Sequence, residues 1–295
     1  MTNFDDLLTN NPIEGQGAPQ LSREDYAAKK KAEREGLFEL SDQTAFEVSA
    51  DGEQFKSFLD LQARLDRYSA VNALLVHAQK PEASRLGGFD YWKQQNCSVM
   101  PGQTAIGILE PQAYTKEDGS PGTGYNVKKV FDISQVDTRK LRVPPAPNYT
   151  ERQILGALIS KAPMKIIGVD TLSGDLGAYT EPDTGEIFVR KGMEFSDTFA
   201  SVAQQLCYAE VEQDGKNTVD PMFTAHCAGY LLCKKYDVDA SSYDFRAASE
   251  MFHGFEAKDV KQELSVIRDV AENISSRMSR QLEAQQKAAK SQEAR

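Results

Sequence analysis

The sequence predicts an α+β protein of two domains, and three observations carry that reading. Residues 52–79 have the 3.6-residue apolar period of helices, whereas Ala105–Leu109 and Val127–Ile133 are short apolar runs of strand length. Residues 141–149 (LRVPPAPNY) hold three prolines and no period, which marks a boundary. Beyond it the pattern restarts as helix, strand, hairpin and three more helices. At 295 residues, 40% of them hydrophobic, the chain is long enough for two cores.

The elements follow in order. Residues 1–50 are expected to be a flexible acidic region with one charged helix at 22–35, N-capped by Ser22. Phe55, Phe58, Leu59, Leu61 and Leu65 line one face of the next helix. Val71, Leu74, Leu75 and Ala78 line another, which Pro81 ends. A short helix around Trp92 spans 88–95. KEDGSPGTG separates the two strand candidates as an exposed turn. The first domain is thus bounded at 51–147 and the second at 148–288. In the second, Glu151–Ser160 is helical, Lys165–Val169 is a strand, and Gly177–Thr180 pairs with Ile187–Arg190 across EPDTGE. Helices follow at 195–213, 219–236 and 256–288, and 289–295 is a frayed tail.

Charge narrows the function. The chain carries −10 overall. Residues 1–54 hold five Lys/Arg against twelve Asp/Glu, and residues 151–295 hold 17 against 23. Only 55–150, with twelve against nine, is net basic, so a phosphate backbone is expected to dock there. An acidic N-terminal region lying over that basic part is a candidate autoinhibitory device. No apolar run reaches the ~18–20 residues of a membrane span, and the N-terminus lacks a signal-peptide pattern, so no membrane partner and a cytoplasmic location are expected. Cys97, Cys207, Cys227 and Cys233 have no CxxC spacing and read as reduced thiols.

Residues 68–93, YSAVNALLVHAQKPEASRLGGFDYWK, carry a specific pattern. Tyr68, Ser69, Asn72, Leu74, Leu75, Gln79, Pro81, Ala83, Arg85, Gly88, Phe89, Trp92 and Lys93 fall in order. Val99, Gly102, Ile106, Pro111 and VFDISQ at 130–135 continue it. The stretch resembles the N-terminal domain of ArdC-like antirestriction proteins, also found in LtrC-like proteins of conjugative elements. What the resemblance implies is single-stranded DNA binding by an accessory protein of a mobile or conjugative element. Such a site needs cations for the backbone and aromatic faces for the bases. Arg64, Arg67, Lys80, Arg85 and Lys93 are the candidate cations. Tyr68, Phe89, Tyr91 and Trp92 are the candidate faces, and Asn72 and Gln79 the candidate hydrogen-bonders. Trp92 and Phe89 also suit a core, and His77 reads as a packing histidine. The family's lysine-rich turn is MPGQTA here, residues 100–105. Fewer phosphate contacts imply weaker binding with a flatter salt dependence.

The second half resembles the zincin-like domain of the same proteins. FTAHCAGYLLCKKYDVD, residues 223–239, fits its second helix through Ala225, Tyr230, Cys233, Tyr236 and Asp239. In this alignment Gln204, Gln205 and Tyr208 stand where HExxH would be, with His226 at the third-ligand position. An amide and a phenol are poor Zn²⁺ ligands, and Gln205 is no general base. The resemblance therefore implies a pseudo-metallopeptidase with no catalytic residues, no metal and no cofactor. Two rivals remain. One is a metallohydrolase with a site rearranged around Cys207, Cys227 and His226. The other is a protein-interaction module whose inactive cleft, lined by Leu206, Cys207 and Tyr208, holds a partner protein.

Overall fold

A computed structural model describes residues 22–143, 147–213 and 215–293. Helix α1 runs Arg23–Ser49 and is capped by Ser22, whose Oγ accepts the Asp25 N–H at 3.1 Å. The expectation of a flexible region with a helix ending near 35 is thereby corrected for 23–49. Leu37, Ser41, Thr44, Ala45 and Val48 form a buried stripe along it. Two of these are polar, but their hydroxyls donate to the carbonyls of Phe38 and Leu40, so burial leaves no orphan donor. Residues 1–21 lie outside the described residues.

Helix α2 spans Gly52–Arg64, with Asp51 accepting the N–H groups of Glu53 and Gln54. Helix α3, Ala70–Gln79, begins at the Ser69 cap and stops before Pro81, as the sequence suggests. Strand β1 (Leu86–Gly87), helix α4 (Phe89–Gln94) and strand β2 (Ser98–Val99) follow. Strands β3 (Ile106–Thr115) and β4 (Pro121–Asp132) form an antiparallel hairpin longer than either apolar run. The expected turn is corrected: only 116–120 turns, and PGTG belongs to β4. The glycines are there because the Tyr114 ring lies across the strand. A Cβ on Gly122 would stand 2.6 Å from Tyr114 Cζ. Strand β5 (Val136–Asp137) pairs with β2, and the first sheet has the order β1-β4-β3.

The later segment opens with α5 (Glu151–Ile159), started by a reciprocal N-terminal cap between Thr150 and Gln153. Strands β6 (Ile166–Val169), β7 (Ala178–Thr180) and β8 (Ile187–Arg190) make a sheet of order β6-β8-β7. In it β8 is parallel to β6 and antiparallel to β7. Helices α6 (Phe195–Gln213), α7 (Pro221–Lys235), α8 (Ala248–Met251) and α9 (Ala257–Glu293) complete the chain. Helix α9 has 37 residues, roughly 55 Å of rise. Residues 294 and 295 of the expected frayed tail lie outside the described residues.

The boundary expected at 147/148 separates the two main sheets but does not divide the core. One buried cluster holds Phe55, Phe58, Leu59, Ala73 and Leu74 together with residues of α5–α9. Phe55 sits 5.6–5.9 Å, ring to ring, from Phe223, Phe245 and Phe252. Beside it, Asp60 of α2 accepts from the Tyr230 hydroxyl at 2.7 Å and pairs with Lys56 and Lys234. Burial alone would raise the Asp60 pKa. The hydroxyl and the two ammoniums outweigh it and hold the carboxyl below its ordinary value. Among the described residues no helix is long and apolar enough to cross a membrane.

Candidate nucleic-acid interface

A cleft of about 340 Å³ opens on the first sheet, between the strands and the turn leading into α3. Ile108 and Val130 form its apolar floor, Tyr68 and Tyr91 line it, and Lys128 and Glu110 pair at it. The register explains the grouping. Ile106 faces Val130 and Ile108 faces Lys128, so alternate residues of β3 and β4 share this surface. Burial raises the Tyr68 pKa, and the nearby Lys128 opposes it.

Tyr91 is held from two sides. Its hydroxyl accepts from Arg85 Nε at 3.1 Å and from Nη2 at 2.6 Å. Its ring lies against Gly87, where an added Cβ would meet Tyr91 Cδ1 at 2.0 Å. Only glycine leaves room for that ring. The Gly-Gly step thus serves to seat the tyrosine in the cleft.

Besides Tyr91, the ten other candidate DNA-contacting residues divide. Tyr68 lines the cleft, Phe89 is 62% exposed one residue beyond Gly88, and Arg67 and Lys93 are exposed. Trp92 is corrected to a core residue. It is 0% exposed, and its Nε1–H donates to the Phe131 carbonyl at 3.0 Å. Asn72 and Gln79 are also corrected, because their amides are spent on the backbone. Asn72 Oδ1 accepts the Leu109 N–H and its Nδ2 donates to the Leu109 carbonyl, both at 2.8 Å. Gln79 makes the same two-way contact with Gly107, at 2.8 and 2.9 Å. The two amides stand in for a neighbouring strand along the free edge of β3. Arg64 ties α2 to the carbonyls of Pro81 and Ala83, and Lys80 pairs with Glu82. Arg85 stacks over Tyr91 and Trp92 and acts as a support for the cleft. His77 packs against Phe58 and meets Ser57 Oγ at 3.3 Å.

Sequence reasoning missed Lys128 and Glu110, the charged pair of the hairpin. It also missed Tyr114 and Tyr125, which are exposed there. The signal was the alternation of β4, obscured by the Gly/Pro content taken as turn.

The VFDISQ segment has a structural role. Asp132 is buried and accepts the N–H groups of Ser84, Arg85 and Ser134 at 2.8–3.0 Å. Burial would raise its pKa, but these donors outweigh it and hold the carboxyl below its ordinary value. Gln135 completes the joint, accepting the Asp132 N–H and donating to the Thr104 carbonyl.

A second cleft, also about 340 Å³, holds Gln204 and His226 with Ser201, Asp197, Arg190 and Tyr243. It holds two of the positions, Gln204 and His226, that align with metal ligands of the zincin-like pattern. The residues do not fit one. Gln204 Nε2 faces Met222 Sδ, and Gln205 Oε1 accepts the Thr180 hydroxyl. His226 Nε2 lies 3.2 Å from the Asp244 carbonyl, and burial lowers the His226 pKa. Burial pushes the Cys207 and Cys227 thiols well up, away from the thiolate a metal needs. No set of three His, Cys, Asp or Glu able to hold a metal exists among the described residues. The expected apolar lining is also corrected: Leu206 and Cys207 are buried in the core, and the cleft is polar.

With the geometry in place, residues 46–142 define an α+β domain whose helices brace a three-stranded sheet. They match the family model of the N-terminal domain of anti-restriction factor ArdC. Two crystal structures of the antirestriction ArdC protein from R388 plasmid are similar to it. The metal-free form shares 14% identity over 74% of this chain and 86% of that one, with a TM-score of 0.47. The Mn(II)-bound form shares 12% over 73% and 85%, with a TM-score of 0.48. No curated protein matches the chain.

Proposed function

We propose that this protein binds single-stranded DNA at the cleft of its ArdC-type domain, as an accessory factor of a mobile element. The observation that carries the reading is the seating of Tyr91 on Gly87 beside Tyr68 and Lys128. A fixed aromatic face next to a cation is what a base and its phosphate require. Exposed Phe89 and Lys93 extend the surface. The second half is a zincin-like domain without metallopeptidase chemistry, and its glutamines and tyrosine are the reason.

Fluorescence anisotropy of a labelled single strand against wild type and Tyr91→Ala/Phe89→Ala, over a salt series, tests this. Saturable binding that weakens with salt and drops about tenfold in the variant supports the reading, since stacking is worth about 1–3 kcal/mol per base. Absence of binding by the wild type at low salt would overturn it.

A further inference from the structure

We propose that the cleft seats one base and discriminates at the Lys128–Glu110 pair, favouring guanine and disfavouring thymine. This rests on the single-strand reading above and deepens it. The cleft is at the small end of ligand sites, which run ~300–1,000 Å³, so it suits one nucleotide and not a run of them. Its floor is apolar, and glycine backbone at Gly87 and Gly88 forms part of its wall.

The polar lining is asymmetric. The Lys128 ammonium only donates and the Glu110 carboxylate only accepts, with two oxygens. Both side chains are about half exposed, so their mutual bond is cheap to share with a ligand. Guanine's pairing edge reads acceptor, donor, donor. O6 meets the ammonium, while N1–H and N2–H meet the two carboxylate oxygens. Thymine reads acceptor, donor, acceptor, and its O2 would face the carboxylate with no proton between them. Cytosine turned over meets the ammonium with O2 but sets N3 against the carboxylate, and adenine offers a single matching donor, so guanine alone satisfies all three positions. Asn72 also lines the cleft, but its amide is committed to Leu109 and adds no base reading.

The test uses the full chain, low salt and two labelled pentanucleotides: five thymidines, and the same strand with guanine at its centre. The guanine strand should bind about fivefold tighter, the low end of what a good bidentate base contact supplies. Glu110→Ala should abolish that preference, the guanine strand falling to the affinity of the thymidine strand. Equal binding of the two strands by the wild type overturns this inference and leaves the single-strand reading standing. A preference that survives Glu110→Ala overturns the assignment to this pair. Failure of both strands to bind sinks the single-strand reading itself, and this inference with it.

Discussion

The Tyr91 ring occupies the space that a Cβ on Gly87 would take, with Cδ1 2.0 Å from that position. Backbone and ring are therefore in direct contact, and the cleft's aromatic wall is fixed before any ligand arrives. Preorganised groups lose less entropy on binding.

Gly87→Ala should displace Tyr91 without unfolding the protein. Arg85 would lose its hydroxyl acceptor at the same time. The expected result is a native circular dichroism spectrum with single-strand affinity reduced severalfold. Unchanged affinity would show that the ring's position does not matter.

Asn72→Ala should destabilise the fold, although Asn72 sits in the motif expected to touch DNA. The substitution orphans the N–H and carbonyl of Leu109 on the buried part of the strand edge. A loss of about 1–3 kcal/mol is expected by urea denaturation. An unaltered midpoint with lost DNA affinity would return the residue to the binding site.

Asp132 gives the fold an acid-sensitive joint. Its folded pKa lies below the ordinary carboxylate value of about 3.9, so the stability it contributes is present above about pH 4. That contribution is lost as pH falls through the folded value. Asp132→Asn should cost about 1–3 kcal/mol at pH 7, because an amide nitrogen would point at an N–H donor. It should also flatten the dependence of stability on pH below 4. A variant as stable as wild type at pH 7 would count against the joint.

The polar cleft predicts an outcome with metal. Wild-type protein should hold no stoichiometric zinc after dialysis, and a chelator should leave its melting temperature unmoved. Gln204→His/Gln205→Glu/Tyr208→His supplies the missing ligands next to His226 and should gain Zn²⁺ that a chelator removes. Calorimetric titration of both proteins settles the matter, and tight zinc in the wild type would refute the pseudoenzyme reading.

Core continuity predicts one calorimetric unfolding transition for residues of both halves. Phe55→Ala should lower stability by about 3–5 kcal/mol and keep a single transition. Two separated transitions would mean independent domains.

Much of this architecture was legible in sequence. Ser22, Pro81 and the 195–213 helix are local signals, and local chemistry sets them. The second half of α1 was not legible. Its buried stripe uses Ser41 and Thr44, polar residues that become acceptable only once their hydroxyls bond within the helix. The hairpin was read short because Gly122 and Gly124 answer to the Tyr114 ring and not to a turn. At the site, the aromatic and basic positions were readable as types. Which of them face solvent was not. Trp92 and Phe89 are three residues apart on one short helix, and only the packing of Phe131 and Cys97 decides that one is hidden and the other open.

Helix α3 holds the free edge of β3 through Asn72 and Gln79, and through Ala73 and Leu74 it belongs to the core shared with α7 and α9. Loss of the later helices would strip the backing from the helix that registers the sheet, so the N-terminal cleft depends on packing from chain far beyond it.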